Sequence, residues 1–222
     1  MTVDRVAVVG STASGKSAVG MAAARQLGNV ELVSVDSMQV YRGMDIGTAK
    51  PTAGEQARVR HHLIDLVDPS VEFTVAEFQR AYRAALDDIS SRDAKALLVG
   101  GTGLYHRAVI DELQLPGEWP ESRVRLRVDL ARSGVAALHA RLVEVDPLAA
   151  ARMEPTNERR VVRALEVCEG SGRPFSSFGP GLDAYPPSPV RQIGLRWDRT
   201  VLAERIEVRV HRMIADGLVA EV

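Results

Sequence analysis

The sequence predicts an α/β fold: a parallel sheet covered on both faces by helices, with an all-helical insertion late in the chain. Three observations lead there. The apolar runs are short and continuous rather than alternating, as strands buried on both faces are. Helix-like patterns separate them, the arrangement that builds right-handed crossovers. The clearest runs end in Gly or Asp, where a parallel sheet opens its ligand crevice. The 222 residues are 45% hydrophobic and 26% charged, with 18 Gly, 11 Pro and one Cys. This composition excludes disordered, collagen-like and disulfide-framed classes.

Val6 to Val9 is the first strand, ending at Gly10. Lys16 to Leu27 follows as an Ala-rich helix stopped by Gly28, and Val30 to Val35 is a second strand ending in Asp36. From Thr74 to Ile89, the residues Val75, Phe78, Tyr82, Ala85, Leu86 and Ile89 share one helical stripe. Ala96 to Val99 is a third strand, running into Gly100, Gly101, Thr102 and Gly103.

Between residues 113 and 190 the strand rhythm stops. Pro116, Gly117 and Pro120 break the chain, and Arg123 to Ala131, Gly134 to Val143 and Asn157 to Cys168 read as helices. A proline-rich stretch, Gly179 to Pro189, closes the segment; Gln192 to Trp197 offers one more strand and Leu202 to Ile214 one more helix. The expected organisation is a core of 1–112 and 191–222 carrying a helical insertion over 113–190.

The formal net charge of −1 hides an asymmetry. Residues 1–120 carry 12 Lys+Arg against 15 Asp+Glu, whereas 121–163 carry 9 against 6. Only Lys16, Lys50 and Lys95 among the 28 basic residues are lysines. The lone Cys168 sits in a helical pattern as a small apolar residue, which fits a reducing compartment. Neither a leader pattern nor an apolar stretch of membrane-spanning length is visible. The chain is therefore expected in the cytoplasm, without a membrane.

Gly10, Ser11, Thr12, Ala13, Ser14, Gly15, Lys16 and Ser17 match G-x-x-x-x-G-K-[ST] between a predicted strand and a predicted helix. Such a loop curls backbone N–H groups round phosphate oxygens, adds the positive helix N-terminus and the Lys16 charge, and offers the Ser17 hydroxyl to Mg²⁺. The core is accordingly expected to be P-loop NTPase-like. Two absences disfavour a GTPase or hydrolytic ATPase: the third strand ends in glycine rather than a Mg²⁺-holding Asp, and no Asn-Lys-x-Asp sequence occurs.

Asp36, at a strand's carboxyl end, suits a general base, a Mg²⁺ or ribose ligand, or a strand-end cap. Beyond it, 36–51 is too polar and glycine-punctuated for a core element and reads as a functional loop. Near the end, Arg205, Arg209 and Arg212 share one helical face opposite Leu202, Ile206, Val210, Met213 and Ile214. Neither Arg205 nor Arg209 has an acidic neighbour three or four positions away. Arg159, Arg160 and Arg163 crowd one helix start, as in an ordinary amphipathic helix or a phosphate-gripping face. His61 and His62, adjacent on a strand, point to opposite faces and make a poor zinc pair.

The sequence resembles the tRNA dimethylallyltransferases (tRNA isopentenyltransferases). GSTASGKS at 10–17, SVDSMQVYRGMDIGTAKP at 34–51, HHLID at 61–65, VGGTGLY at 99–105, RRVVRALE at 159–166 and RIEVRVHRMIADGLVAEV at 205–222 follow in the family's order. Ser11 stands where the family usually has Pro, and Ser17 where many members have Thr; neither removes a needed hydroxyl or backbone donor.

The resemblance implies transfer of a dimethylallyl group from dimethylallyl diphosphate to the N6 amine of the adenine 3′-adjacent to the anticodon, with Mg²⁺ as cofactor. It implies Asp36 as general base, Thr12 and Arg209 at the reacting diphosphate, and residues 10–17 as the diphosphate loop. Asp36, Ser37, Met38, Gln39 and Thr102 would line the adenine pocket, while Arg125, Arg159, Arg160, Val161, Val162 and Arg163 would meet the tRNA anticodon stem-loop. A monomer lacking the family's C-terminal part is expected. An isopentenyltransferase acting on free adenine nucleotides, or a P-loop nucleotide or small-molecule kinase, is the alternative.

Overall fold

The structure, a computed structural model, describes residues 5–179, 184–185 and 187–222. Positions 180–183 and 186 of the expected proline-rich stretch thus lie outside the described residues. The chain divides into two compact units, 1–112 with 187–222, and 113–186.

The first unit is built on a five-stranded parallel sheet of order β3-β2-β4-β1-β5. Its strands are β1 (Val6–Gly10), β2 (Val30–Val35), β3 (His61–His62), β4 (Lys95–Gly100) and β5 (Arg191–Leu195). Val9 of β1 and Val35 of β2 both pair with Gly100 of β4. This common register brings the chain out of three strands at one edge, as Gly10, Asp36 and Gly101, and thereby fixes where a ligand can meet all three.

Both faces of the sheet are covered. On one, Val33, Val35 and Leu98 pack with Phe78, Tyr82 and Ile89 of α3 (Val75–Ser91) and Tyr105 and Val109 of α4 (Gly103–Ile110). On the other, Val8, Leu32 and Leu97 pack with Ala24 of α1 (Lys16–Leu27). Continuous apolar strands follow from this two-sided burial. Thr74 and Glu77 form a reciprocal capping box at the start of α3, and Thr52 and Glu55 do the same for α2 (Ala53–Arg58).

The second unit is helical: α5 (Pro120–Val145), α6 (Pro147–Ala151) and α7 (Glu158–Ser171), with a 3₁₀ turn at Phe175–Ser177. The two helices expected at 123–131 and 134–143 form one span broken at Gly134, whose φ of 77° suits glycine. Leu126, Leu138, Leu142, Val161, Val162 and Leu165 form its core. Within it the fully buried Glu166 accepts hydrogen bonds from Arg123 Nε (2.8 Å), Arg163 Nη1 (2.7 Å) and the Trp119 amide (2.9 Å).

The chain returns to the first unit at Pro187, before the expected 191. The cause is local: Ser188 Oγ donates to the Ile110 carbonyl and Val190 is buried in the core beneath the sheet. The last helices are α8 (Arg199–Ala215) and α9 (Leu218–Glu221). Among the described residues, no helix is long and apolar enough to cross a membrane.

Candidate active site

The loop from Gly10 to Ser17 joins β1 to α1 at the carboxyl edge of the sheet. A Cβ on Gly10 would lie 2.8 Å from both the Leu195 carbonyl oxygen and Ser14 Oγ, so glycine is required where β1 meets β5. Gly15, with φ 92°, turns the chain into α1 and leaves the first amides of that helix free of intrahelical partners. Lys16 Nζ donates to the Ser11 carbonyl at 2.7 Å, folding the side chain back over the loop. Burial pushes its pKa down, the Arg209 cation adds to this, and Asp36 opposes it. Ser14 Oγ is buried and without a hydrogen-bond partner among the described residues, an orphaned polar atom inside a loop suited to anions.

A cavity of about 260 Å³ opens beside this loop, and Thr12, Lys16, Ser17, Asp36, Thr102 and Arg209 contribute its polar lining. Met21, Leu32 and Val99 supply apolar lining. Asp36 Oδ1 accepts the Met38 amide at 2.8 Å and the Gln39 amide at 3.4 Å. One carboxylate oxygen therefore caps the turn after β2, while Oδ2 has no hydrogen-bond partner among the described residues. That division commits one oxygen to the strand-end cap and leaves the other open toward the cavity.

Thr102 Oγ1 accepts the Ser37 amide at 3.3 Å, tying the end of β4 to the segment after β2. Gln39 also lines the cavity, with its side chain committed: Oε1 accepts from Ser34 Oγ (2.7 Å) and Nε2 donates to the carbonyls of Thr48 (3.1 Å) and Ala49 (3.2 Å). Ser37 and Met38 are not among the lining residues, and Met38 is exposed.

The 36–51 segment is ordered by two further groups. Lys50, nearly buried, bonds the Tyr41 carbonyl (2.7 Å), Asp45 Oδ1 (2.7 Å) and Asp65 Oδ1 (2.6 Å). These carboxylates outweigh burial and push its pKa up. Glu221 accepts the amides of Asp45 (2.7 Å), Ile46 (2.7 Å) and Gly47 (2.9 Å). A Cβ on Gly47 would stand 3.1 Å from Leu218 Cδ1, so the loop and α9 meet closely at a glycine.

No carboxylate ends β4. A Cβ on Gly100 would lie 2.1 Å from the Val35 carbonyl oxygen, and one on Gly101 3.0 Å from the Gly10 carbonyl oxygen. The backbones meet too tightly for the Asp that a hydrolytic NTPase would place there. His61 lines the cavity with Nδ1 held by the Val59 carbonyl (2.8 Å), whereas His62 pairs with Glu31 (2.6 Å). Among the described residues no group of three or more His, Cys, Asp or Glu is arranged to hold a metal.

On α8, Arg209 lines the cavity, while Arg205 is turned to the back of the 10–17 loop: Nε donates to the Ala13 carbonyl at 2.9 Å and the guanidinium stacks on Trp197 at 4.5 Å. In the helical unit, Arg159 and Arg160 are exposed, with no ion pair among the described residues. Arg125 is mostly exposed, 3.7 Å from Glu169. Arg163 is committed to Glu166 and to the carbonyls of Pro116 and Gly117. Val161 and Val162 have buried side chains, so they shape α7 from beneath rather than offering side chains to a ligand.

Met21 and Leu32 had no site role in the sequence, and His61 entered only as a poor zinc ligand; all three line the cavity, and their apolar or strand-like settings carry no chemical signal. Trp197, expected at a strand end, lies outside the cavity lining.

The IPP transferase family profile matches residues 39–222. The tRNA dimethylallyltransferase of Salinispora arenicola is 54% identical over 97% of this chain, which covers 62% of that protein. That of Streptomyces coelicolor is 50% identical over 98% of the chain and 69% of its own length. Among solved structures, the tRNA isopentenylpyrophosphate transferase of Bacillus halodurans is 44% identical with a TM-score of 0.64, over 99% of this chain and 69% of that one. A eukaryotic dimethylallyltransferase acting on tRNA is 26% identical with a TM-score of 0.84, over 100% of this chain and 55% of that one. With the glycine-rich 10–17 loop, Asp36 and Arg209 around one cavity and a family profile covering most of its length, the chain belongs to the IPP transferase family.

Proposed function

We propose that the chain carries the catalytic core of a tRNA dimethylallyltransferase, which moves a dimethylallyl group from dimethylallyl diphosphate to the N6 amine of the adenine 3′-adjacent to the anticodon. The observation that carries this reading is one cavity lined by Lys16, Ser17, Arg209 and the carboxylate Asp36, with glycine packed where a β4 carboxylate would stand. Such a site can hold a diphosphate and accept a proton without positioning a hydrolytic water.

In the reaction the N6 lone pair forms a bond to C1 of the allyl group while the C1–O bond breaks, its electron pair leaving with diphosphate. The N6 proton passes to Asp36, whose free Oδ2 is the acceptor. The loop amides, Lys16, Thr12 and Arg209 offset the charge that grows on the leaving oxygens. Alignment of amine and C1 in the cavity supplies the rest. The chain offers the Ser17 hydroxyl, with the Asp36 carboxylate also lining the cavity, rather than a ligand cage, a donor set that would fit Mg²⁺ bound together with the diphosphate. When bound, Mg²⁺ neutralises diphosphate charge.

The adenine must leave its stack to reach such a cavity, and Asp36, Gln39 and Thr102, which line it, would receive it, with Ser37 and Met38 at its margin only. On the helical unit, Arg159 and Arg160 are exposed cations without an ion pair among the described residues and are offered to RNA phosphates, with Arg125 and the Glu166-held Arg163 also proposed to meet the RNA. Val161 and Val162 anchor that helix. As proposed, the enzyme works as a monomer, in the cytoplasm with its tRNA substrate.

The test mixes the protein with labelled dimethylallyl diphosphate and either unmodified tRNA or free AMP. Label on tRNA supports the reading; label on AMP alone, or ATP consumption without allyl transfer, overturns it.

A further inference from the structure

Two side chains outside the cavity hold the phosphate loop from behind. Trp197 Nε1 donates to the Ser14 carbonyl at 2.9 Å, and Arg205 Nε donates to the Ala13 carbonyl at 2.9 Å. The pair is itself joined, the Arg205 guanidinium lying 4.5 Å from the Trp197 ring. Arg205 Nη2 also passes 3.6 Å from where a Gly15 Cβ would be.

The C=O and N–H of a trans peptide point in opposite directions. Holding the Ser14 carbonyl toward Trp197 therefore aims the Gly15 amide the other way. Holding the Ala13 carbonyl toward Arg205 aims the Ser14 amide inward, where it meets the Ser11 carbonyl at 3.2 Å and closes the turn. Ala13 has φ 60°, a left-handed conformation that costs a non-glycine residue energy and must be held from outside. The brace also joins the loop to the segment after β5 and to α8, the helix that brings Arg209 to the cavity.

We propose that Trp197 and Arg205 are positioning residues for the phosphate loop, fixing two of its peptides with their carbonyls outward so that the loop is ready for a diphosphate before one arrives. Arg209 then faces the ligand, and Arg205 acts through the backbone rather than as a second ligand. The inference rests on the reading of residues 10–17 as a diphosphate site.

The test is calorimetric titration of the full chain with inorganic diphosphate and Mg²⁺, for the wild type, Trp197→Phe and Arg205→Lys. Trp197→Phe keeps a ring for Arg205 and loses only the N–H; Arg205→Lys keeps the charge and loses the planar stack and the Nε–H. Each is expected to raise Kd about tenfold, the effect of losing one ordering hydrogen bond, with the ligand-free melting temperature within a few degrees of wild type. In the transfer assay KM for the prenyl diphosphate rises by a similar factor and KM for tRNA stays unchanged, a split that general destabilisation does not produce. Wild-type affinity in Arg205→Lys would reduce Arg205 to a point charge and overturn the proposal, as would wild-type affinity in Trp197→Phe. Should Trp197→Phe not fold, Arg205→Lys alone decides. A wild-type chain that binds no diphosphate refutes the site reading itself, a result distinct from failure of the brace.

Discussion

Lys16 Nζ and the Ser11 carbonyl oxygen lie 2.7 Å apart, so the ammonium of the phosphate loop is tied to the loop's own backbone. In the proposed site a diphosphate would draw it away from that carbonyl or share it, and the burial that lowers its pKa would strengthen its pull on that anion.

Lys16→Met is expected to weaken diphosphate binding on the order of 10- to 100-fold, as loss of a charge-assisted hydrogen bond does. Binding to the wild type should also weaken as pH rises through the Lys16 pKa, which lies below the ordinary 10.5, because the cation is lost there. Lys16→Arg, whose cation does not titrate in that range, should lack this decline; calorimetry across pH checks both.

Glu166 gathers Arg123, Arg163 and the Trp119 amide inside the helical unit. Burial opposes its ionisation, but Arg123, that amide and Arg163 outweigh burial and hold the carboxyl below its ordinary 4.5. A depressed carboxyl stabilises the fold above its unfolded value and stops doing so as pH falls through the folded one. The contribution should be complete above about pH 4.5 and decline below it. Glu166→Ala, which strands Arg123 and Arg163, should cost about 3 kcal/mol or more at neutral pH and flatten the acid limb of a melting-temperature profile.

Glu221 holds the amides of Asp45, Ile46 and Gly47, and the Gly47 and Ile46 amides lead in keeping its carboxyl ionised. Glu221→Gln should make these three amides exchange with solvent about tenfold faster, and Glu221→Asp should restore part of the protection. Exchange in the wild type should quicken in the same place as pH falls below the ordinary carboxylate value, once intrinsic exchange rates are divided out.

Gly100→Ala should lose about 3 kcal/mol or more, since its Cβ would stand 2.1 Å from the Val35 carbonyl oxygen and force β2 from β4. Gly103→Ala meets nothing within 4 Å and should change stability by less than about 1 kcal/mol. Denaturant titration compares the two.

The buried strands, the phosphate loop and the long helix at 75–91 are legible in the sequence because their signals are local: continuous apolar runs, a glycine-lysine spacing, a 3.6-residue stripe. The helix at 53–58 carried a legible sign too, the Thr52/Glu55 capping box, but six residues with none buried leave no apolar stripe. The helix from Gly103 hides behind glycines that suggest a loop. Trp197 reads as the end of a strand, whereas β5 stops at Leu195 and the indole turns to Ser14, a pairing 183 residues apart that no local pattern encodes. Helical spacing likewise leaves Arg205 and Arg209 equivalent; the family resemblance favours Arg209, and the fold puts Arg205 behind the loop and Arg209 at the cavity. Arg163 likewise shares a helix start with Arg159 and Arg160, yet its partner Glu166 makes it a fixed group rather than a free one.

Asp36 as the proton acceptor is the centre of the account, and single-turnover transfer from labelled dimethylallyl diphosphate to tRNA by Asp36→Asn tests it most directly. Diphosphate and tRNA should still bind within a few-fold of wild type while the transfer rate falls by about 10²–10⁴. A variant that transfers at close to the wild-type rate contradicts the assignment.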